Sequence, residues 1–302
     1  MSSFERLLVL GATGQLGTDL VKAAATAGVE HLGLSHEEVE VTRAESLAAA
    51  MERFHPTIVI NSAAFHQVER CEDDPHQAYL VNTVGALLVA RAAAQAGARS
   101  VYVSTDYVFP GDKPPATDGR LTAQTAWVED DPPRPLNVYG ASKVSGEQAV
   151  RLSDPRHLIV RISSLFGVAG ARGKGGNFIE TILKKAKEGG PLRVVNDQWM
   201  TPTYTADAAQ AIVRLAMTGV MGTVHVTNAG GCTWHAFAAE AVRLTGFGIP
   251  VEAVSASAYP SKACRPPNSA LQTDRLSGLL GRPPRAWREA LAAYLREKGH
   301  IS

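Results

Sequence analysis

The sequence predicts an α/β protein, a Rossmann-type doubly wound parallel sheet with a smaller C-terminal domain. Two observations predict it. Short apolar runs alternate with longer stretches of helical periodicity through the first half, and strand–helix–strand alternation gives a parallel sheet with helices on both faces. The first apolar run ends in a glycine-rich turn, Gly11-Ala-Thr-Gly14-Gln15-Leu16-Gly17, which opens the first helix.

Candidate strands are Leu7–Leu10, His31–Leu34, Thr57–Asn61, Ser100–Ser104 and His157–Ile162. Between them Asp19–Ala27, Ala44–Arg53 and Gln77–Ala96 carry apolar residues at helical spacing. Pro110 to Pro135 breaks the rhythm: rich in Pro, Gly, Asp and Thr, it is too long for a simple connection and reads as a surface excursion near the site. After Ser163 the pattern is less regular, with a second irregular stretch from Ser255 to Ser269. Residues 1–162 therefore read as one domain and 163–302 as a second, with parts of 177–240 folding back onto the first sheet. The last helix, Arg285–Lys298, aligns Trp287, Leu291, Tyr294 and Leu295 on one side, the pattern of a helix packed on the core.

Composition narrows the function classes. The chain has 302 residues, 45% hydrophobic and 20% charged, the ordinary mix for a globular protein with a substantial core. Thirty Lys+Arg against 29 Asp+Glu leave a net charge of +1 with no basic block, so a nucleic-acid partner is not expected. No run approaches the roughly 18 apolar residues of a membrane span. Leu7–Leu10 is too short for a signal-peptide core. Cys71, Cys232 and Cys264, odd in number and far apart, fit a reducing compartment, and the cytoplasm is the expected location. His66, Cys71 and His76 lack metal-site spacing, so no metal is expected.

The glycine turn has the spacing and context of a dinucleotide site. Its glycines permit the tight turn, and backbone N–H groups at the helix start can approach a pyrophosphate. This makes residues 1–162 the NAD(P)-binding domain and leaves the second domain for the substrate. An acid closing the second strand would hold the ribose 2′-OH and select NAD. That position falls near Ser35, beside His36, and a small hydroxyl leaves room for a 2′-phosphate. NADPH is the expected cofactor, with NADH the alternative should Glu37 or Glu40 reach the ribose.

Tyr139-Gly-Ala-Ser-Lys143 is the most informative segment. Four residues apart on a helix, both side chains share a face. A lysine ammonium beside a phenol lowers the tyrosine pKa, and a phenol so tuned can protonate a carbonyl oxygen as hydride reaches its carbon. Thr105, in Ser104-Thr105-Asp106, stands at the carboxyl end of the fourth strand, where open α/β sheets bind ligands, and can hydrogen-bond the same carbonyl.

With these residues in place the chain resembles the dTDP-4-dehydrorhamnose reductases, members of the extended short-chain dehydrogenase superfamily. The resemblance runs through Gly11–Gly17, Val59-Ile-Asn-Ser-Ala-Ala64, Val68-Glu69, Val81-Asn82, Ser104-Thr-Asp-Tyr-Val-Phe109 and Pro135–Lys143. It continues through Gly176-Asn-Phe178, Asn196-Asp-Gln198, Pro202-Thr203, Thr233-Trp234 and Arg265-Pro-Pro-Asn-Ser269. It implies reduction of the C4 keto group of dTDP-4-dehydro-β-L-rhamnose by NAD(P)H. Tyr139 would give the proton, Lys143 would bind the nicotinamide ribose and tune Tyr139, and Thr105 would orient the keto oxygen. The resemblance also implies cofactor contacts at Gly11, Gly14, Gln15, Leu16, Gly17, Ser35, Glu40, Ala63, Ala64 and His66. It implies substrate contacts at Val68, Asp106, Ser164, Asn177, Arg265 and Asn268, Arg265 pairing with the diphosphate. A homodimer is compatible with the sequence.

Three departures fall near the expected sugar pocket. Arg161-Ile-Ser-Ser164 has Ser164 where the family carries Trp, Met200 replaces a glycine, and the loop 112–127 is longer than usual. Thr105-Asp106 is followed by Tyr107, not the Glu that a 4,6-dehydratase needs; an epimerase needs only the Tyr and Lys with tightly held NAD. The non-enzyme alternative is an NADP-binding regulatory subunit, since the β subunit of methionine adenosyltransferase also resembles this family.

Overall fold

The computed structural model describes residues 5–170 and 176–302. Strands β1 (Arg6–Leu10), β2 (Glu30–Leu34), β3 (Ile58–Asn61), β4 (Arg99–Thr105) and β5 (Leu158–Ile162) match the five expected ones. A sixth, β10 (Gly222–His225), comes from the second half of the chain and was not among the expected strands. The sheet order is β10-β5-β4-β3-β1-β2, with every neighbouring pair parallel. Order reverses at β1, so the glycine turn opens at the switch point where such sheets leave a crevice.

Successive strand residues point to opposite faces. Leu7, Val9, Ile58 and Ile60 pack on one side against α1 (Gln15–Thr26) and α8 (Thr205–Met217). Leu8, Leu10 and Val59 pack on the other against α2 (Ala44–Phe54) and α5 (Ala86–Gln95). Each such side chain contributes roughly 1.5–3 kcal/mol on burial. Because both faces are covered, the central strands β1 and β3 read as apolar runs.

The expected helix Gln77–Ala96 is in three pieces: α4 (Pro75–Tyr79), a π-helical segment Leu80–Gly85, and α5. A π turn widens the backbone at a place the sequence spacing does not mark. Here the Asn82 carbonyl accepts the Tyr102 hydroxyl at 2.8 Å. The Asn82 side chain clasps the loop after β3, accepting from Phe65 N and donating to Phe65 O. α3 (Val68–Asp73) follows that loop, and α6 (Val138–Ser153) starts under an Asn137 cap that accepts from Gly140 N.

Three two-stranded ribbons mark the remaining chain. They are β6 (Leu165–Phe166) with β9 (Thr203–Tyr204), β7 (Leu192–Val195) with β12 (Val251–Val254), and β8 (Trp199–Met200) with β11 (Cys232–Thr233). They surround α7 (Phe178–Lys187), α9 (Trp234–Thr245) and α11 (Trp287–Glu297), and α10 (Asp274–Leu280) precedes the last helix. A second core of Phe166, Tyr204, Phe237, Trp287 and Tyr294 joins them, with Phe166 5.2 Å from Phe237 and edge-on to Tyr294 at 5.4 Å. Among the described residues no helix is long and apolar enough to cross a membrane.

Candidate active site at the carboxyl ends of the strands

At the end of β1 the backbone N–H groups of Gly11 and Ala12 both donate to Leu34 O at 3.0 Å, tying the turn to β2. Gly11 has φ +80°, and a Cβ there would sit 2.9 Å from Ala63 N. A Cβ on Gly17 would sit 2.1 Å from Gly11 O, so only glycine lets α1 start this close to the strand. Thr18 locks the turn by donating to Gly14 O at 3.0 Å. The helix has no side-chain cap and no acid in its first turn, so its positive end stays open to an anion. Leu16 is buried in the core, while Gln15 Oε1 is buried without a hydrogen-bond partner among the described residues. This cradle fits a dinucleotide pyrophosphate. Ala63 and Ala64 follow β3, the Ala63 N–H donating to Asn61 at 3.1 Å, and His66 lies further along the same Asn82-clasped loop.

At the end of β2, Ser35 is buried and its N–H donates to the Glu38 carboxylate at 2.8 Å. Hydrogen bonds from Ser35 hold the Glu38 carboxyl below its ordinary range. Glu38, not Glu37 or Glu40, is therefore the acid at the strand end; three residues after Ser35, it is the residue the sequence reading passed over. Glu40, the expected ribose ligand, has its Oε1 accepting from Thr42 N at 3.1 Å and Thr42 Oγ1 at 2.8 Å.

β4, β5 and α6 bring the reacting groups together. Thr105 accepts from Tyr107 N at 3.2 Å and donates to Asp106 Oδ1 at 3.0 Å; Ser163 donates to Asp106 Oδ2 at 2.8 Å. Burial pushes the Asp106 carboxyl up to about 6, against hydrogen bonds from Ser269, Ser163 and Thr105 that work the other way. Tyr139 lies beside Thr105, close enough for the hydroxyl to act on its phenol, and packs edge-on to Tyr107 at 6.2 Å.

The electrostatics differ from the expected tuning. Burial pushes the Tyr139 phenol up from its ordinary value; the Thr105 hydrogen bond lowers it, and Asp106, Cys71 and Tyr107 add to the rise. Lys143 is not among the groups that lower it; its ammonium donates to Val103 O at 2.7 Å and lies 4.0 Å over the Tyr102 ring. Burial lowers Lys143 itself to about 7, opposed by Glu147. The phenol thus keeps its proton at neutral pH, as a proton donor must, while Lys143 is the group poised to titrate.

The expected sugar-side residues divide. Val68 opens α3 beside Glu69, and Glu69 accepts from Ser261 Oγ at 2.6 Å, Lys262 N at 2.9 Å and Arg265 Nη2 at 2.9 Å. Arg265 is thereby paired within the protein. Asn177 caps α7, accepting from Glu180 N at 3.1 Å and donating to Gly167 O and Tyr294 Oη, both at 3.0 Å; these bonds make it a structural residue. Asn268 donates to Lys113 O, Pro114 O and Thr125 O and accepts from Ala270 N, so it clamps the long 112–127 loop, with no donor left for a sugar. Met200 is buried in the second core. Ser164 adopts φ +44°, a left-handed conformation rare outside glycine. Phe166 is buried in the second core and cannot fill the space beside it. Among the described residues no group of three or more His, Cys, Asp or Glu gathers as metal ligands.

A glycine cradle at the switch point, with a Tyr/Lys helix and a threonine at the next strand end, defines a dinucleotide-dependent oxidoreductase of the extended short-chain dehydrogenase type. The chain belongs to the dTDP-4-dehydrorhamnose reductase family: the RmlD substrate binding domain profile matches residues 5–299. It is 38% identical over 293 residues to the spore coat polysaccharide biosynthesis protein SpsK of Bacillus subtilis, covering 97% of this chain and 98% of that one. It is 36% identical over 283 residues to the dTDP-4-dehydrorhamnose reductase of Salmonella typhimurium, covering 89% and 90%. The fold superimposes on the crystal structure of dTDP-4-dehydrorhamnose reductase from Bacillus anthracis in complex with NADP with a TM-score of 0.88, at 34% identity and 98% and 100% coverage.

Proposed function

We propose that the chain reduces the C4 keto group of dTDP-4-dehydro-β-L-rhamnose to give dTDP-L-rhamnose, using NADPH or NADH in the cytoplasm. The observation that carries this reading is the meeting of Thr105, Asp106 and Tyr139 at the carboxyl ends of the strands, beside the glycine cradle. Gly11 to Gly17 and the start of α1 would hold the pyrophosphate, Ser35 and Glu38 would flank the adenosine ribose, and Lys143 would meet the nicotinamide ribose. When bound, the dinucleotide supplies the hydride. Tyr139 Oη gives its proton to the carbonyl oxygen. Thr105 has a single hydroxyl proton, donated here to Asp106. To orient the substrate oxygen it must turn towards it, leaving Ser163 to satisfy the Asp106 carboxyl. An NADPH-oxidation assay with dTDP-4-dehydro-L-rhamnose beside other nucleotide ketosugars tests the reading. Tight NADPH binding with no turnover of any of them would overturn it in favour of a regulatory subunit.

Cofactor choice gives a sharper expectation. With Ser35 in place of an acid, NADPH should be used at least as well as NADH. Glu38→Gln should raise the NADPH-to-NADH ratio of kcat/KM a few-fold, since it removes a like charge beside the 2′-phosphate. A strong NADH preference in the wild type would show that Glu38 grips the ribose.

The replaced aromatic gives another. A ring at position 164 should lower KM for dTDP-4-dehydrorhamnose about 2- to 10-fold, the 0.5–1.5 kcal/mol typical of an added aromatic contact. A bulky residue at φ +44° should also lower Tm by a few degrees. Measuring KM and Tm of Ser164→Trp checks both, and a KM that rises instead would mean that Trp199 already occupies the space.

A further inference from the structure

Strand β4 meets helix α6 through three consecutive residues. Val103 O accepts from Lys143 Nζ at 2.7 Å, Ser104 Oγ donates to Glu147 Oε1 at 2.6 Å, and Thr105 stands beside Tyr139. Tyr139, Lys143 and Glu147 are spaced four apart, so one helix face carries all three. Two of these contacts belong to the reaction proposed above; the middle one has no part in it. Glu147 is fully buried, and so is Arg161, which reaches it from β5 with Nε at 2.9 Å and Nη2 at 2.8 Å. Arg151 adds a bond at 3.1 Å, and the remaining arm of Arg161 donates to Glu129 O at 3.2 Å. Four donors therefore fix one carboxylate, one turn of helix below the catalytic lysine.

Stability alone does not call for this arrangement, since well-packed apolar residues replace buried ion pairs without loss in many proteins. The charge has a use one turn away. Among the described residues the buried Lys143 has no carboxylate bonded to it, and its ammonium is held by a carbonyl and the Tyr102 ring. The groups around it that can carry charge are Tyr139 and Glu147 on its own helix, Tyr102 on β4 and Asp106 beyond the end of β4, with Arg161 and Arg151 behind Glu147 and Cys71 of α3 on the Tyr139 side. Glu147 is the one that favours the ammonium, and Arg161 and Ser104 keep Glu147 ionised in spite of its burial.

We infer that Glu147 is a positioning residue for the reaction: clamped by Arg161 and Ser104, it sets the register of α6 on β4 and supplies the buried negative charge that keeps Lys143 an ammonium. This rests on Lys143 acting as proposed above, so the test includes a readout without substrate. In the full-length enzyme, Glu147→Gln should lower kcat about tenfold or more. It should move the alkaline limb of both kcat and NADPH affinity to lower pH by about one unit or more, the size of effect expected from removing an opposite charge nearby. Glu147→Asp should recover part of the shift. Ser104→Ala loosens the carboxylate without leaving a buried charge unpaired. It should give a smaller shift in the same direction, and it decides the matter if Glu147→Gln does not fold. NADPH affinity against pH, read by quenching of protein fluorescence, separates the two readings. A wild type that turns over no ketosugar removes the reductase reading, while a displaced NADPH-binding profile in the variants still supports the role of Glu147. Wild-type pH profiles in folded Glu147→Gln, or in Ser104→Ala where Glu147→Gln is unfolded, would overturn it.

Discussion

Tyr139→Phe should lower kcat by 10²–10⁴-fold, the range that general acid catalysis contributes, with folding and dinucleotide binding retained. The variant removes one hydroxyl from a side chain whose ring stays packed edge-on against Tyr107. The neighbouring Thr105 stays bonded to Asp106 and to Tyr107 N. Steady-state rates with dTDP-4-dehydrorhamnose, beside a fluorescence titration of NADPH, separate the two effects. Near-normal turnover in Tyr139→Phe would remove Tyr139 as the acid and leave Asp106, held near pH 6 by its burial, as the group to examine next.

Lys143→Met should be the second severe variant, and it should divide activity from stability. The ammonium is expected to serve both the nicotinamide ribose and the charge at the reacting oxygen. Its loss should therefore weaken NADPH binding and cost on the order of 10²-fold in kcat, as removal of a preorganised electrostatic contact does. The fold should tolerate the change. Met has nearly the same length, an unfavourably buried charge disappears, and Glu147 keeps its pair with Arg161. Tm should stay within a few degrees of wild type. A fall in Tm well beyond that would mean that the bond to Val103 O holds α6 in place. The wild type should show a related pH dependence. Burial lowers Lys143 to about 7, so the ammonium is present below that pH and lost as pH rises through it. The alkaline limb of kcat should then lie near neutrality and vanish in Lys143→Met, since the phenol is displaced upward, away from that range. A limb that survives the substitution belongs to another group.

What could be read from the chain followed local spacing. The glycine turn declares itself because three glycines at three-residue intervals serve one backbone path, in which Gly17 must pass within reach of Gly11 O. Tyr139 and Lys143 are found by their separation along one helix, and β1, β3, β4 and β5 by short apolar runs of the kind a sheet covered on both faces requires. These are properties of residues that are neighbours along the chain.

Long-range contacts decided the rest. Nothing near Gly222–His225 shows that it pairs with β5, 64 residues earlier at Leu158 and Gly222; its place comes from a free sheet edge and from α8 packing on α1. Nothing local shows that Lys143 points at Val103 O, 40 residues away, so the expected lowering of the tyrosine pKa did not follow from the spacing. Asn177 and Asn268 look like ligands in a motif, yet their amides are spent on carbonyls brought in from other elements. The capture of Ser35 by Glu38 and the left-handed turn at Ser164 belong to backbone geometry that their side chains do not encode. Charge states and hydrogen-bond partners depend on what surrounds a group in space, and burial, the largest influence on Tyr139, Lys143 and Asp106 alike, exists only once the chain has folded.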